Sequence, residues 1–226
     1  MARRSSPHTV LLAGASGLVG RALLGQLLAE PDTRVHALLR REVPDLPTAP
    51  QLSRQLIDFA QPGALPQADA LYIALGTTIK AAGSEAAFRA VDFDAVLAVA
   101  RAAQAAGVTH VALVSALGAD AGSRVFYNRV KGETEAQLAA LGFERLVIAR
   151  PSLLAGARSA LGQAPRVGEQ WALALLTPIS RLLPARVRPI DAAVVARALH
   201  TALQQPGPPV QIIESAALHS LGQATS

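Results

Sequence analysis

An α/β fold, built as a parallel sheet with helices on both faces, is what the sequence predicts. Short β-rich runs alternate with longer helical patterns as far as Pro151, and a glycine cluster separates the first run from the first helix. Apolar residues make up 51% of the 226 positions and charged residues only 16%, below the roughly 25% common in globular chains. Strands buried on both faces need that surplus of apolar residues.

The elements follow in order. Thr9 to Ala13 reads as a buried strand, and Leu18 to Glu30 as a helix ended by Pro31. Arg34 to Leu39 is a second strand, followed by a Pro-rich loop from Glu42 to Pro50. Gln55 to Ile57 and Ala70 to Leu75 are the third and fourth strands. A long helix is predicted over Glu85 to Ala106, with Phe88, Val91, Val96 and Val99 near helical spacing and Gly107 as its C-cap. His110 to Ser115 is strand five, Tyr127 to Leu141 a helix ending at Gly142, and Phe143 to Ala149 strand six. After Pro151 the rhythm breaks, and residues 151–189 read as a substrate or lid segment inserted in a single domain spanning 1–226. Asp191 then N-caps a helix through Leu203, and Val210 to Ile213 is the last strand.

Composition removes several function classes. With no cysteine, disulfides, thiolate zinc sites and cysteine nucleophiles are excluded. The five His and the paired carboxylates show no metal-ligand spacing, so no metal is expected. The net charge of +5 suits a polyanionic partner or a compositional bias toward arginine. No tract of four to eight basic residues marks a membrane- or nucleic-acid-binding segment, so neither partner is expected. Arg3-Arg4 before an apolar run resembles the start of a secretory signal, but Gly14, Gly17 and Gly20 interrupt the run. No apolar run reaches the roughly 18 residues that span a bilayer, and the expectation is a cytoplasmic protein.

Gly14-Ala15-Ser16-Gly17-Leu18-Val19-Gly20 joins the first strand to the first helix. Backbone amides and the helix N-terminus cradle a pyrophosphate at such a junction. Gly14, Ser16, Gly17, Leu18 and Gly20 are the candidate contacts. The second strand ends in Leu39-Arg40-Arg41 with no acid at its tip. An acid there would hold the ribose hydroxyls of NAD; two guanidiniums instead pair with a 2′-phosphate and favour NADP. A solvated strand end would also suit the two arginines. Asp58-Phe59 and Gly76-Thr77-Thr78, after strands three and four, are placed to flank the adenine and ribose.

Tyr127 and Lys131 stand one helical turn apart on one face. A neighbouring ammonium stabilises tyrosinate and lowers a phenol from about 10 towards working pH. Such a tyrosine exchanges a proton with a substrate oxygen while a nicotinamide carries hydride. Ser115, at the end of strand five, brings a hydroxyl for the same oxygen. An exposed Tyr–Lys pair beside an ordinary loop serine is the alternative.

Together, Gly14-x-x-Gly17-x-x-Gly20, Ser115, Tyr127-Asn-Arg-Val-Lys131 and Arg150-Pro151 resemble the atypical group of the short-chain dehydrogenases/reductases. More narrowly, Leu75-Gly-Thr-Thr78, Val91-Asp92, Ser115 to Gly118 and Val130-Lys-Gly-Glu-Thr-Glu135 resemble the family of the human Tat-interactive oxidoreductase and its bacterial relatives. The resemblance implies a Rossmann-type doubly wound sheet binding NADPH, with Ser115, Tyr127 and Lys131 catalytic. The resemblance brings no firm substrate; Ser115, Tyr127 and Lys131 behind the phosphate-binding loop suggest a small carbonyl or hydroxyl compound, while the resemblance also suits an NADPH-sensing regulator with a protein partner or as a homodimer. Where the wider superfamily carries Asn in the long helix, this chain has Asp92 and Asp94. Arg150, Arg158 and Arg166 are candidates for clamping an anionic substrate, or solvated loop residues. Trp171, with Leu173, Leu175 and Leu176, reads as core or pocket wall.

Overall fold

The computed structural model describes residues 8–155, 184 and 187–223. The first half comprises β1 (His8–Ala13), α1 (Leu18–Leu28), β2 (Thr33–Leu39), β3 (Leu52–Leu56) and β4 (Ala70–Ile73). Short helices α2 (Ile79–Ala82) and α3 (Glu85–Arg89) lead through a π-helical turn, Ala90–Asp94, into α4 (Ala95–Ala105). β5 (His110–Val114), α5 (Phe126–Ala140) and β6 (Arg145–Arg150) follow. The two-residue strands β7 (Leu154–Ala155) and β8 (Ile190–Asp191) precede α6 (Ala192–Gln204), β9 (Val210–Glu214) and α7 (Ser215–Gln223).

Seven strands form one sheet in the order β3-β2-β1-β4-β5-β6-β9, all parallel. The chain winds outward from β1 to β3 and then crosses to β4 on the other side of β1. This is the doubly wound Rossmann order, and the reversal between β1 and β4 opens a crevice at the carboxyl ends of the strands. Alternation along each strand supplies two apolar faces. Val10, Leu12, Tyr72 and Val147 pack under α1 and α6, while Leu11, Leu71, Ile73 and Ile148 pack under α4.

The departures from the sequence expectation have local causes. The third strand begins at Leu52 rather than Gln55, pairing Val35 with Leu52; as an edge strand it carries exposed Ser53 and Arg54, which disguised it. The fourth strand stops at Ile73 because Ala74 and Leu75 turn against Gly14. The long helix is interrupted by the π turn, whose Asp92 carbonyl accepts from Thr134 Oγ1 at 2.9 Å. Asp191 caps α6 as expected, accepting from the Ala193 amide at 2.7 Å. Helix α7, Ser215–Gln223, lies past the last element that the sequence predicts. Most of the 151–189 segment, including Arg158, Arg166, Trp171, Leu173, Leu175 and Leu176, lies outside the described residues.

A partly buried polar chain ties α6 to the sheet. Tyr72 Oη meets His200 Nδ1 at 2.7 Å, and His200 Nε2 meets Glu30 Oε1 at 2.7 Å. Thr33 Oγ1 donates to Glu30 Oε2 at 2.7 Å. Burial raises the Glu30 carboxyl, but Thr33 and His200 outweigh it and hold the group below the usual glutamate range. A lowered folded value contributes stability above the unfolded pKa and loses it as pH falls through the folded one. The Glu30→Gln variant is therefore expected to melt below the wild type near neutrality, with the two melting temperatures converging on acidification. Circular-dichroism melts over a pH series check this.

Candidate functional site

The glycine loop begins where β1 leaves the sheet. Gly14 has φ +94°, and a Cβ there would lie 2.4 Å from the Ala74 carbonyl oxygen. A Cβ on Gly20 would lie 2.0 Å from the Gly14 carbonyl oxygen. Chain packing thus dictates both residues. Gly17 differs: its nearest neighbour would be 3.5 Å away, an ordinary contact. It begins α1 with extended backbone and no capping side chain, leaving the first-turn amides for an anion. A side chain at Gly17 would fill the cradle, and the loop fits a dinucleotide pyrophosphate. The Ser16 carbonyl accepts from Arg21 Nε at 3.3 Å, and Arg21 pairs with Asp45 at 2.6 Å, tying this loop to the next. Leu18, the first residue of α1, is half-buried against the core.

Arg40 and Arg41 sit exposed just past β2, with no hydrogen-bond or ion-pair partner among the described residues. The other flanking candidates have local roles. Asp58 is exposed and closes a turn by accepting from the Ala60 amide at 2.9 Å, and Phe59 packs half-buried against the sheet. Thr78 caps α2, accepting from the Ala81 amide at 3.2 Å. Thr77 donates its amide to Asp92 Oδ2 at 2.9 Å. A Cβ on Gly76 would stand 3.5 Å from Asp92 Oδ1 and 3.8 Å from Lys131 Nζ.

Those last contacts link the loop after β4 to α5. Lys131 Nζ lies 2.6 Å from Asp92 Oδ1, with side chains 8% and 0% exposed. Burial opposes the lysine charge, but the Asp92 carboxylate, helped by Tyr127 and Glu135, outweighs it and holds the ammonium above its ordinary range. Tyr127 is half-buried, its ring centroid 5.2 Å from that of Phe88. Ser115 is buried, and its Oγ donates to Glu135 Oε1. Among the described residues no hydrogen bond joins Ser115 to Tyr127.

Glu135 is the centre of a second charged chain. Arg150 Nε reaches both Glu135 oxygens, at 3.1 and 3.2 Å, and Nη2 reaches Oε2 at 2.6 Å. Arg150 Nη1 donates to Glu214 Oε1 at 3.0 Å. This corrects both sequence readings of Arg150, as anion clamp or solvated loop residue: two carboxylates already occupy its guanidinium. Glu135 was missed as a site neighbour, although its spacing from Lys131 repeats that of Lys131 from Tyr127 and puts it on the same stretch of helix. Removing the cation strands a buried carboxylate, which costs roughly 3 kcal/mol. Arg150→Met is accordingly expected to lose about that much in denaturant unfolding.

Comparison with known proteins agrees with this geometry. A family model described as NAD(P)H-binding matches residues 14–150. Protein fmp52, mitochondrial, from Emericella nidulans is 39% identical over 175 residues, covering 74% of this chain and 75% of that protein. Its namesake from Eremothecium gossypii is 38% identical over 150 residues, covering 66% and 67%. An oxidoreductase of the short chain dehydrogenase/reductase family from Burkholderia thailandensis superposes with a TM-score of 0.69 at 20% identity, over 95% of this chain and 94% of that one. MoeE5 in complex with UDP-glucose and NAD gives 0.68 at 16% identity, over 95% and 80%. The two structures show the shared Rossmann-type fold. The relatives overturn the expectation of a cytoplasmic protein, because they are named as mitochondrial. That expectation came from the lack of a secretory signal and a spanning run, and neither feature reports on organelle import, which uses a different leader chemistry. With a glycine loop shaped for a pyrophosphate and matches to both the family model and the fmp52 proteins, this chain belongs to the NAD(P)H-binding family, among the relatives of protein fmp52.

Proposed function

We propose that this protein is an NADP(H)-dependent oxidoreductase of the short-chain dehydrogenase/reductase type, acting on a small carbonyl or hydroxyl compound. The observation that carries the reading is the buried Lys131 ammonium, one turn from Tyr127 and beside the loop after β4. Tyr127 Oη exchanges a proton with the substrate oxygen, and Lys131 holds its charge next to that phenol. Gly14, Ser16, Gly17, Leu18 and Gly20 hold the pyrophosphate, and Arg40 and Arg41 take the 2′-phosphate. Gly76, Thr77 and Thr78, with Asp58 and Phe59, border the nucleoside. A bound nicotinamide supplies or accepts the hydride. Ser115 orients the substrate oxygen by donating to it, its hydroxyl turning from Glu135, which accepts its proton in this structure.

One observation favours a second reading, an NADPH-sensing regulator with little turnover, of the kind suggested by the Tat-interactive resemblance. Carboxylates engage both Ser115 and Lys131. Turnover decides between the two. Oxidation of NADPH with 4-nitrobenzaldehyde as the probe is expected to fall by about 10²- to 10⁴-fold in Tyr127→Phe, with NADPH binding retained. Turnover equal to the wild type would overturn the mechanism, and NADPH binding without turnover in the wild type favours the sensor.

Cofactor choice has a separate test. Replacing Arg40 and Arg41 by Ala is expected to weaken NADPH binding by about tenfold or more, the worth of one charge-assisted hydrogen bond, and to leave NADH unchanged. Equal binding of NADH and NADPH by the wild type, measured by thermal shift, would defeat the assignment.

A further inference from the structure

We propose that Asp92 is a positioning residue: by pairing with Lys131 it keeps Tyr127 a protonated phenol, and so adapts the site to carbonyl reduction. The inference rests on the oxidoreductase reading above and deepens it by naming the substrate form. Asp92 is fully buried, and its carboxylate and carbonyl oxygens each meet a partner. Oδ1 holds Lys131 Nζ at 2.6 Å, Oδ2 takes the Thr77 amide at 2.9 Å, and the carbonyl takes Thr134 Oγ1 at 2.9 Å. It stands in the π-helical turn. Such turns are uncommon and cluster at functional sites.

The electrostatic consequence follows from the pairing. A lone ammonium beside a phenol stabilises the phenolate. An ammonium whose charge is matched by a carboxylate at contact distance presents a dipole, and its field at the neighbouring ring is much weaker. Several other charges on this side are also matched, while Lys80 of α2, Glu85 of α3 and Asp94 of the π turn have no ion pair among the described residues. Glu135, on α5 itself, is paired by Arg150 of β6, which also reaches Glu214 of β9. Arg89 of α3 pairs with Glu133 at 2.5 Å and lies 4.1 Å from the Phe93 ring centroid. Arg129 stands 4.0 Å from the same Glu133. Reduction needs a proton donor: a bound reduced nicotinamide would supply the hydride to the carbonyl carbon, and the carbonyl oxygen would take the proton of Tyr127 Oη. The phenolate left behind recovers a proton from water. Alcohol oxidation needs the phenolate at the outset, which the Asp92 carboxylate disfavours.

The composition provides a readout independent of turnover. The chain has two tyrosines, and burial pushes the Tyr72 phenol far above its ordinary range. Near-ultraviolet phenolate absorbance therefore reports Tyr127 when the full chain is titrated with alkali, and Tyr127→Phe removes the step. Asp92→Asn keeps an acceptor for Thr77 and removes the charge, and its midpoint is expected about one pH unit or more below the wild type. An unchanged or higher midpoint overturns the proposal. In a Lys131→Met background the same substitution is expected to produce no downward shift; a persisting one overturns the route through Lys131. Asp92→Ser repeats the test with a smaller side chain, and failure of both variants to fold makes Asp92 structural and rejects the proposal. The assay of Tyr127→Phe with NADPH and 4-nitrobenzaldehyde judges the oxidoreductase reading separately. Undiminished turnover there, with the midpoint shift present, defeats that reading and with it the reductive role, while the electrostatic coupling stands.

Discussion

The close passage of Gly14 past the end of β4 is the constraint on which the site depends. With no Cβ, the backbone turns out of β1 at positive φ and lies against Ala74 and Leu75. Any side chain there would push the two chain ends apart. Gly20 repeats the device one turn into α1, letting the helix start lie against the Gly14 carbonyl. Two backbone contacts thus fix the angle between strand, loop and helix, and they do so at the β1–β4 boundary where the winding of the sheet reverses. The dinucleotide cleft of such folds opens at that boundary. The loop after β4 is held to the same place, so Gly76 and Thr77 meet the Asp92–Lys131 pair.

Buried charge is organised as closed chains. Lys131 with Asp92, and Ser115 with Glu135 and Arg150, place charged groups where water is scarce, with exposed Glu214 at the outer end of the second chain. An isolated buried ion would lose its hydration without compensation, so each needs a partner and further hydrogen bonds. The Thr77 amide and the Ser115 hydroxyl complete those shells. Such pairs contribute less to net stability than to geometry, because the desolvation of both members offsets their attraction. Their effect is to hold α5 in one rotation against β6 and the π turn, and this orientation presents Tyr127.

The sheet was legible because its strands are apolar on both faces and its helices end at glycines in the left-handed region, Gly107 at φ +91° and Gly142 at φ +73°. The edge strand β3 was misplaced because one flank of such a strand meets water and its polar residues break the pattern. The glycine loop, Tyr127 and Lys131 stood out by residue type and spacing, and all three fall at the carboxyl end of the sheet or on α5. What spacing alone did not reveal was pairing. Nothing in the order of residues says that Asp92, rather than Asp94, turns inward, since that depends on the one-residue widening of the helix at Ala90–Asp94. Likewise Glu135 and Glu214 are far apart along the chain, and β6–β9 pairing brings Arg150 opposite Glu214.

The positive charge of the chain acquires a sharper meaning from the same contacts. Arg21, Arg89, Arg145 and Arg150 are each held by carboxylates or carbonyls of the chain itself. Arg145, buried, donates to the carbonyls of Ala202 and Pro208 and to Gln211, closing the end of α6 onto β9. A guanidinium so occupied adds little to the field felt by a passing anion. Arg40 and Arg41 have no such partners among the described residues and lie exposed just past the end of β2. The strand next to β1 in this winding carries the group that meets the adenosine ribose in dinucleotide-binding folds. The net charge of +5 is therefore uninformative as a total, and what bears on the proposed 2′-phosphate contact is that Arg40 and Arg41 are unpaired among the described residues.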